Sequence, residues 1–249
     1  MKVYPVYLNR LDQKKTVIIG GNHEAERKVN ELLECDALLT VISPDVTDHL
    51  KELADSNRFD WIRREYVEGD LEGAFMVIVA DFKGDINRKV FEEAEERGIL
   101  ANVMDDIPHC NFTFGSLVKR GPLTLSISTS GAAPTLAVRL RQRFEKEFGP
   151  EYEPFLEMMQ QLRDPMKDVY DDFDTRKELW YSVVDSDVLQ LFRENRTKEA
   201  YNKTRNIVGA EVFNRAFKKD NSSILNKLNA MVKNVKQTVQ KKFSRFQSP

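Results

Sequence analysis

Cysteine is scarce in this chain: two in 249 residues, Cys35 and Cys110, too few for a disulfide framework, which points to a reducing, cytoplasmic setting. No apolar run approaches the ~18–20 residues of a membrane span, and the opening Met1-Lys2-Val3 starts no signal peptide. Of the three histidines, His109 stands beside Cys110 but has no second pair at ligand spacing, so no metal site is expected. The acidic run Asp168, Asp171, Asp172 and Asp174 lacks the spacing of a calcium loop and reads as a solvated loop. No repeat of useful period is present. A net charge of only −2 makes bulk electrostatics silent about partners.

That balance hides an asymmetry. Residues 214–249 hold nine Lys/Arg against Asp220 alone, a net of +8, which leaves −10 for residues 1–213. Within this tail Leu225, Leu228, Val232, Val235 and Val239 are spaced 3-4-3-4, the pattern of a basic amphipathic helix. It has too few aromatics for a stacking nucleic-acid binder, so a partner helix or a membrane surface is the expected counterpart.

Along the first half, apolar runs of strand length alternate with amphipathic runs of helix length. Strands are expected at 3–8 (an edge strand), 16–21, 38–43, near Trp61, 74–80 and 99–104, and helices at 24–34, 46–56 and 86–97. This alternation over short connections gives an α/β class with a doubly wound parallel sheet. A further β-rich run covers 123–128. After Pro134 only helical periodicity remains: a strong amphipathic helix at 136–148, then a helical region from 151 to about 208 with breaks near Asp164-Pro165 and 171–174.

Two places carry chemistry. Strand, Gly20-Gly21-Asn22-His23-Glu24-Ala25, helix is the context of a dinucleotide fingerprint. Gly20 makes the turn, Ala25 packs helix on strand, and Asn22 stands where a second glycine lets the pyrophosphate approach. Asn tolerates a left-handed backbone, but its side chain would project toward the phosphates and Glu24 would repel an anion, so a plain structural turn competes. The second place is residues 99–134. Its strand delivers Asp105 and Asp106 onto a loop with His109 and Cys110, followed by Arg120-Gly121-Pro122, the β-rich run and a small-residue turn. Polar residues at the carboxyl end of a parallel strand are where open α/β sheets bind ligands. Neighbours on an extended strand point oppositely, so one of the two carboxylates would face a cleft; a loop or cap role for Asp105 is the alternative. Ser128, Thr129, Ser130 and Gly131 offer hydroxyls and N–H groups as a cradle, or a cap for the next helix.

Tyr4-Pro5-Val6, Gly20-Gly21, Ala25-Glu26-Arg27-Lys28, Val41-Ile42-Ser43-Pro44, Asn102-Val103-Met104-Asp105-Asp106, Cys110-Asn111-Phe112, Arg120-Gly121-Pro122-Leu123 and Ser128-Thr129-Ser130-Gly131-Ala132-Ala133-Pro134 occur in that order. Together they resemble the precorrin-2 dehydrogenase / sirohydrochlorin ferrochelatase family, the amino-terminal module of siroheme synthases. The resemblance covers residues 1–145 closely and extends loosely to about 210. It implies a Rossmann-like NAD-binding domain over 1–112, a dimerisation region over 113–148 and a helical carboxyl-terminal domain over 149–213, in a homodimer with a tetrapyrrole in the cleft between these parts. The tail, 214–249, has no counterpart in the family. NAD is the implied cofactor, and ferrous iron the implied substrate of a second step.

By the same resemblance Asp105 takes the place of the catalytic aspartate. Gly20, Gly21, Asn22, His23, Glu24, Pro44, Asp45, Asn102 and Val103 would border the nucleotide, with Asp45 near the ribose. Ser128, Thr129, Ser130 and Gly131, with Arg120 and Arg139, would take the substrate's carboxylates; solvated faces and helix-end charges are the alternative for the arginines. The chain departs from the family at Asn22 and Glu24, at Asp36 in place of a glycine and at Asp81-Phe82 in place of Thr-Asp, all in the nucleotide half. Three readings follow: a dehydrogenase with or without ferrochelatase activity, a chelatase that has lost NAD, and a non-catalytic tetrapyrrole carrier that docks a partner through its tail.

Overall fold

The structure, a computed structural model, describes residues 2–80 and 84–218. Asp81, Phe82 and the heptad-like stretch of the basic tail lie outside the described residues. The chain divides into two compact units, residues 2–114 and residues from 115 onward.

The first unit is built on a five-stranded sheet with the order β3-β2-β1-β4-β5. The strands are β1 (Lys15–Ile19), β2 (Leu38–Ile42), β3 (Asp60–Ile62), β4 (Met76–Val79) and β5 (Leu100–Val103). All four neighbouring pairs are parallel, so every strand presents its carboxyl end at one edge. The helices are α1 (His23–Leu33), α2 (Asp48–Asp55) and α3 (Gly84–Glu96). Alternation along each strand divides the side chains between two cores. Ile18, Leu39, Val41, Met76 and Ile78 pack with Ala25, Val29 and Leu32 of α1 and Leu50 of α2. Val17, Ile19, Val77, Val79, Ala101 and Val103 pack with Val90 and Ala94 of α3. Each fully buried aliphatic side chain contributes about 1.5–3 kcal/mol of transfer free energy, which is why near-continuous apolar runs become strands covered on both faces.

The expected α/β architecture is present, with one correction. Residues 3–8, read as an edge strand, form no strand, and Tyr4 and Val6 are 87% and 67% exposed. Strand-forming composition describes fit to a pleated, half-buried surface; the sheet ends at β3 and β5, and neither edge takes up this segment.

The second unit opens with an antiparallel hairpin, β6 (Ser116–Arg120) and β7 (Leu123–Ile127), followed by α4 (Pro134–Glu147) and five helices: α5 (Tyr152–Val169), α6 (Phe173–Val184), α7 (Val188–Arg193), α8 (Thr197–Val208) and α9 (Ala210–Ala216). β6 was not expected. The hairpin turns through Gly121 and Pro122, with Gly121 at φ 54 in the first central position, where glycine is favoured. Phe155, Met158, Leu162 and Met166 form the buried stripe of α5, against Val183, Val188, Leu191, Ala200 and Val208 from the later helices. This stripe corrects the break expected at Pro165: α5 runs through it. Pro165 forfeits one helical hydrogen bond, at about 3 kcal/mol, and the burial of Leu162 and Met166 on either side offsets it. The second break is real, because the Asp172 carboxylate accepts from Thr175 N–H at 2.7 Å and starts α6. No helix among the described residues is long and apolar enough to cross a membrane.

Candidate functional site

The carboxyl ends of β1, β2 and β5 gather the first unit's expected site residues at one edge. After β1, Gly20 takes φ 111 and makes the turn. Gly21 cannot carry a side chain: a Cβ there would lie 2.1 Å from the Asp45 carbonyl oxygen and 2.8 Å from Val46 Cα. Asn22 is extended, φ −79 and ψ −177, so its tolerance of a left-handed backbone plays no part. Its side chain is engaged at both ends. Oδ1 accepts from Ala25 N–H at 3.0 Å, capping α1, and Nδ2 donates to the Ala80 carbonyl at 2.7 Å, tying the β1 turn to the end of β4. The amide of Asn22 is thus directed at backbone.

Charge around this helix start is largely compensated. Arg27 holds the Glu24 carboxylate at 2.6 Å and Glu31 at 2.9 Å. Glu26 accepts from the Thr47 hydroxyl at 2.5 Å. Thr47 also caps α2 by accepting from Leu50 N–H, and its own N–H donates to the Gly21 carbonyl at 3.0 Å. Thr47 thus ties the glycine turn to the start of α2, and a threonine just before a helix is a cap signal visible in the sequence. Pro44 and Asp45 follow β2, exposed, and the Asp45 carboxylate has no hydrogen bond or ion pair among the described residues. Asn102 and Val103 serve β5 itself: Asn102 Nδ2 donates to the Phe112 carbonyl at 3.0 Å, and the Val103 side chain lies in the core.

Beyond β5 the two carboxylates part company. Asp105 has φ 59, a left-handed conformation that Asp adopts more readily than most residues. Its side chain is exposed and makes no hydrogen bond or ion pair among the described residues. Asp106 is half-buried and its Oδ2 lies 2.8 Å from His109 Nδ1 and 3.5 Å from Asn87 Nδ2. His109 stacks edge-on against Phe91. Cys110 is a neutral thiol: burial pushes its pKa up, and its Sγ donates toward the Val103 and Asp106 carbonyls. Among the described residues no trio of His, Cys, Asp or Glu is grouped to hold a metal.

In the second unit the β7–α4 loop carries Ser128, Thr129, Ser130 and Gly131. Ser130 and Gly131 have φ 53 and 80. The Ser128 hydroxyl accepts from Ser130 N–H at 3.1 Å, and the Thr129 hydroxyl from Ala133 N–H at 3.2 Å, at the entrance to α4. Arg139 is exposed and unpartnered among the described residues. Arg120 is the correction: its guanidinium donates to the carbonyls of Phe148 (2.8 Å), Lys119 (2.8 Å) and Glu145 (3.0 Å), so it closes the carboxyl end of α4 and is not free to clamp a substrate.

Three family matches run along the chain in order. Residues 8–116 match an NAD(P)-binding family, 120–147 the central region of sirohaem biosynthesis proteins, and 151–207 the sirohaem synthase dimerisation region. A siroheme synthase of Pseudoalteromonas translucida is 33% identical over 211 residues, 85% of this chain and 44% of the relative. A siroheme synthase of Aeromonas salmonicida is 32% identical over 211 residues, 85% of this chain and 45% of the relative. The chain therefore spans less than half the length of these curated relatives. A solved structure of SirC, a precorrin-2 dehydrogenase, shares the fold with a TM-score of 0.67 at 22% identity, covering 82% of this chain and 100% of that one.

Proposed function

This chain belongs to the siroheme synthase family, and on that premise we propose that it oxidises precorrin-2 to sirohydrochlorin with NAD, as a homodimer in the cytoplasm. One observation carries the reading. At the carboxyl end of β5 stands Asp105, a carboxylate that is exposed and uncommitted while its neighbour is held by His109, which supports the catalytic role the resemblance implies for it.

A dinucleotide fits the residues present. Gly20 and Gly21 allow the tight turn, and the first-turn amides of His23 and Glu24 have no carbonyl partner within α1, so they can meet a pyrophosphate. Ala25 N–H is already satisfied by Asn22, and the negative charge of Glu24 is met by Arg27. Asp45 after β2 is free to accept from a ribose hydroxyl, a preference for NAD over its 2′-phosphorylated form. NAD supplies the hydride acceptor when bound.

Oxidation also releases a proton, and Asp105 is the base that accepts it. Assistance of this kind is worth roughly 10²–10⁴ in rate. The Asp106–His109 hydrogen bond fixes the loop on which Asp105 stands. Arg139 and the hydroxyls of Ser128, Thr129 and Ser130 are the proposed contacts for the substrate's carboxylates. We extend the proposal to insertion of ferrous iron into the product, with Asp105 taking the pyrrole protons.

Titration of the chain with NAD, followed by intrinsic fluorescence, tests the cofactor half of this reading. Binding in the micromolar to millimolar range, weakened about tenfold by Asp45→Ala, is expected. No binding at millimolar NAD would transfer the case to a chelatase without a redox step.

A further inference from the structure

Two loops of the first unit that would grip different parts of a dinucleotide are tied to each other. The glycine turn after β1 leads into the first-turn amides of α1, and the loop after β2 carries Asp45. They are in direct contact, since Gly21 lies too close to Asp45 and Val46 to carry a Cβ. Thr47 makes the polar part of this contact. Its N–H donates to the Gly21 carbonyl at 3.0 Å. Its hydroxyl donates to Glu26 Oε2 at 2.5 Å while accepting from Leu50 N–H at 3.3 Å. On the other side the Asp45 carbonyl accepts from the Ser43 hydroxyl at 2.6 Å, and the Ser43 carbonyl from the Trp61 indole N–H at 2.9 Å. The Asp45 loop is thus held to α1 through Thr47 and to β3 through Trp61.

Glu26 is the member that needs a reason. It stands in the first turn of α1, where a carboxylate suits the helix dipole but opposes an incoming pyrophosphate. Glu24 is neutralised by Arg27. Glu26 has no lysine or arginine partner among the described residues; its side chain, 24% exposed, meets the Thr47 hydroxyl and His23 Nδ1 at 3.8 Å. As a charge Glu26 would hinder the proposed cofactor; as an anchor for Thr47 it would help.

We infer that Glu26 and Thr47 are positioning residues for the cofactor. Their hydrogen bond locks the glycine turn to the β2–α2 loop, so that the α1 amides and Asp45 engage pyrophosphate and ribose as one preorganised site. The inference rests on the proposed function for NAD as the ligand. Neither side chain touches the nucleotide in this role. Ordering both loops in advance lowers the cost of binding and makes the two sets of contacts interdependent.

NAD binding to the full chain, measured by calorimetry on single and paired variants, tests this. Charge and positioning demand opposite signs at Glu26. Glu26→Ala takes a negative charge from the helix start, which by itself would tighten NAD; loss of the lock should instead weaken it about tenfold. Glu26→Gln keeps an oxygen to accept from Thr47 and should bind as tightly as the parent or more so. Thr47→Ser keeps the hydroxyl and should bind within about twofold of the parent. Asp45→Ala, expected to cost about tenfold in the parent, should cost less than about threefold when added to Glu26→Ala. Glu26→Ala leaves the caps of α1 and α2, Asn22 and Thr47, in place, and urea denaturation of each variant ensures that folded chains are compared. The inference is overturned if Glu26→Ala binds NAD as tightly as the parent, or if Glu26→Gln binds no more tightly than Glu26→Ala. It is also overturned if Asp45→Ala costs the same factor in both backgrounds. These results would leave the proposed function standing, whereas absence of NAD binding by the parent chain would sink both.

Discussion

His109 Nδ1 lies 2.8 Å from Asp106 Oδ2, and Asn87 Nδ2 reaches the same oxygen at 3.5 Å, so of two adjacent carboxylates the second is held and Asp105 is free. The pair divides the labour: one acid orders the loop, the other is presented to solvent on a left-handed residue.

The first prediction separates those roles. Asp105→Ala should abolish precorrin-2 oxidation while changing stability by no more than about 0.5 kcal/mol, as for an exposed side chain without partners. Asp106→Ala should lower stability by about 1–2 kcal/mol through its lost hydrogen bonds. Urea denaturation beside the activity assay reads both. Equal stability losses for the two variants would contradict the assignment.

Asn22 offers a second test. It caps α1 and bridges to the Ala80 carbonyl, so Asn22→Ala should cost about 1–2 kcal/mol and weaken NAD binding. Asn22→Asp keeps the cap acceptor but loses the donor to Ala80, and should fall between. A thermal midpoint unmoved by Asn22→Ala would show that the bridge contributes nothing.

For Arg120 the prediction runs opposite to its reading from sequence, and for Arg139 it agrees. Arg120→Ala should lower stability by about 2 kcal/mol or more, since three backbone carbonyls lose a charged donor. Arg139→Ala should leave stability within about 0.5 kcal/mol and raise KM for the tetrapyrrole. Denaturation and steady-state kinetics on the two variants check the contrast.

The contrast marks where sequence stopped being informative. The first unit was legible because its strands are apolar runs bounded by Gly and Pro, and its helices carry one buried face. β6 escaped because Ser116, Lys119 and Arg120 break the apolar pattern and only Val118 is buried. Residues 3–8 show the converse, strand-forming composition that joins neither edge of the sheet. Arg120 could not be placed from sequence because Glu145 and Phe148, whose carbonyls it meets, lie 25 and 28 residues away. Asn22 looked obstructive because its place in the motif was visible and its two hydrogen bonds were not.

A pH prediction follows from Tyr201, whose ring sits among Phe192, Phe213 and Phe217. Burial, with Glu157 adding repulsion, pushes its pKa from about 10 up to about 12. A raised folded pKa means the folded chain keeps the proton longer than the unfolded one. The associated stability is therefore complete below about pH 10 and lost as pH rises toward about 12. Tyr201→Phe keeps the ring contacts and should flatten that alkaline decline in urea midpoints measured from pH 9 to 11; an unchanged slope would assign it elsewhere.

The most direct test of the account is anaerobic precorrin-2 mixed with the chain, with and without NAD, followed by absorption. The sirohydrochlorin spectrum is expected only when NAD is present and should fail to appear with Asp105→Ala. Sirohydrochlorin formed at the same rate by Asp105→Ala, or none formed by the parent chain with NAD, would contradict it.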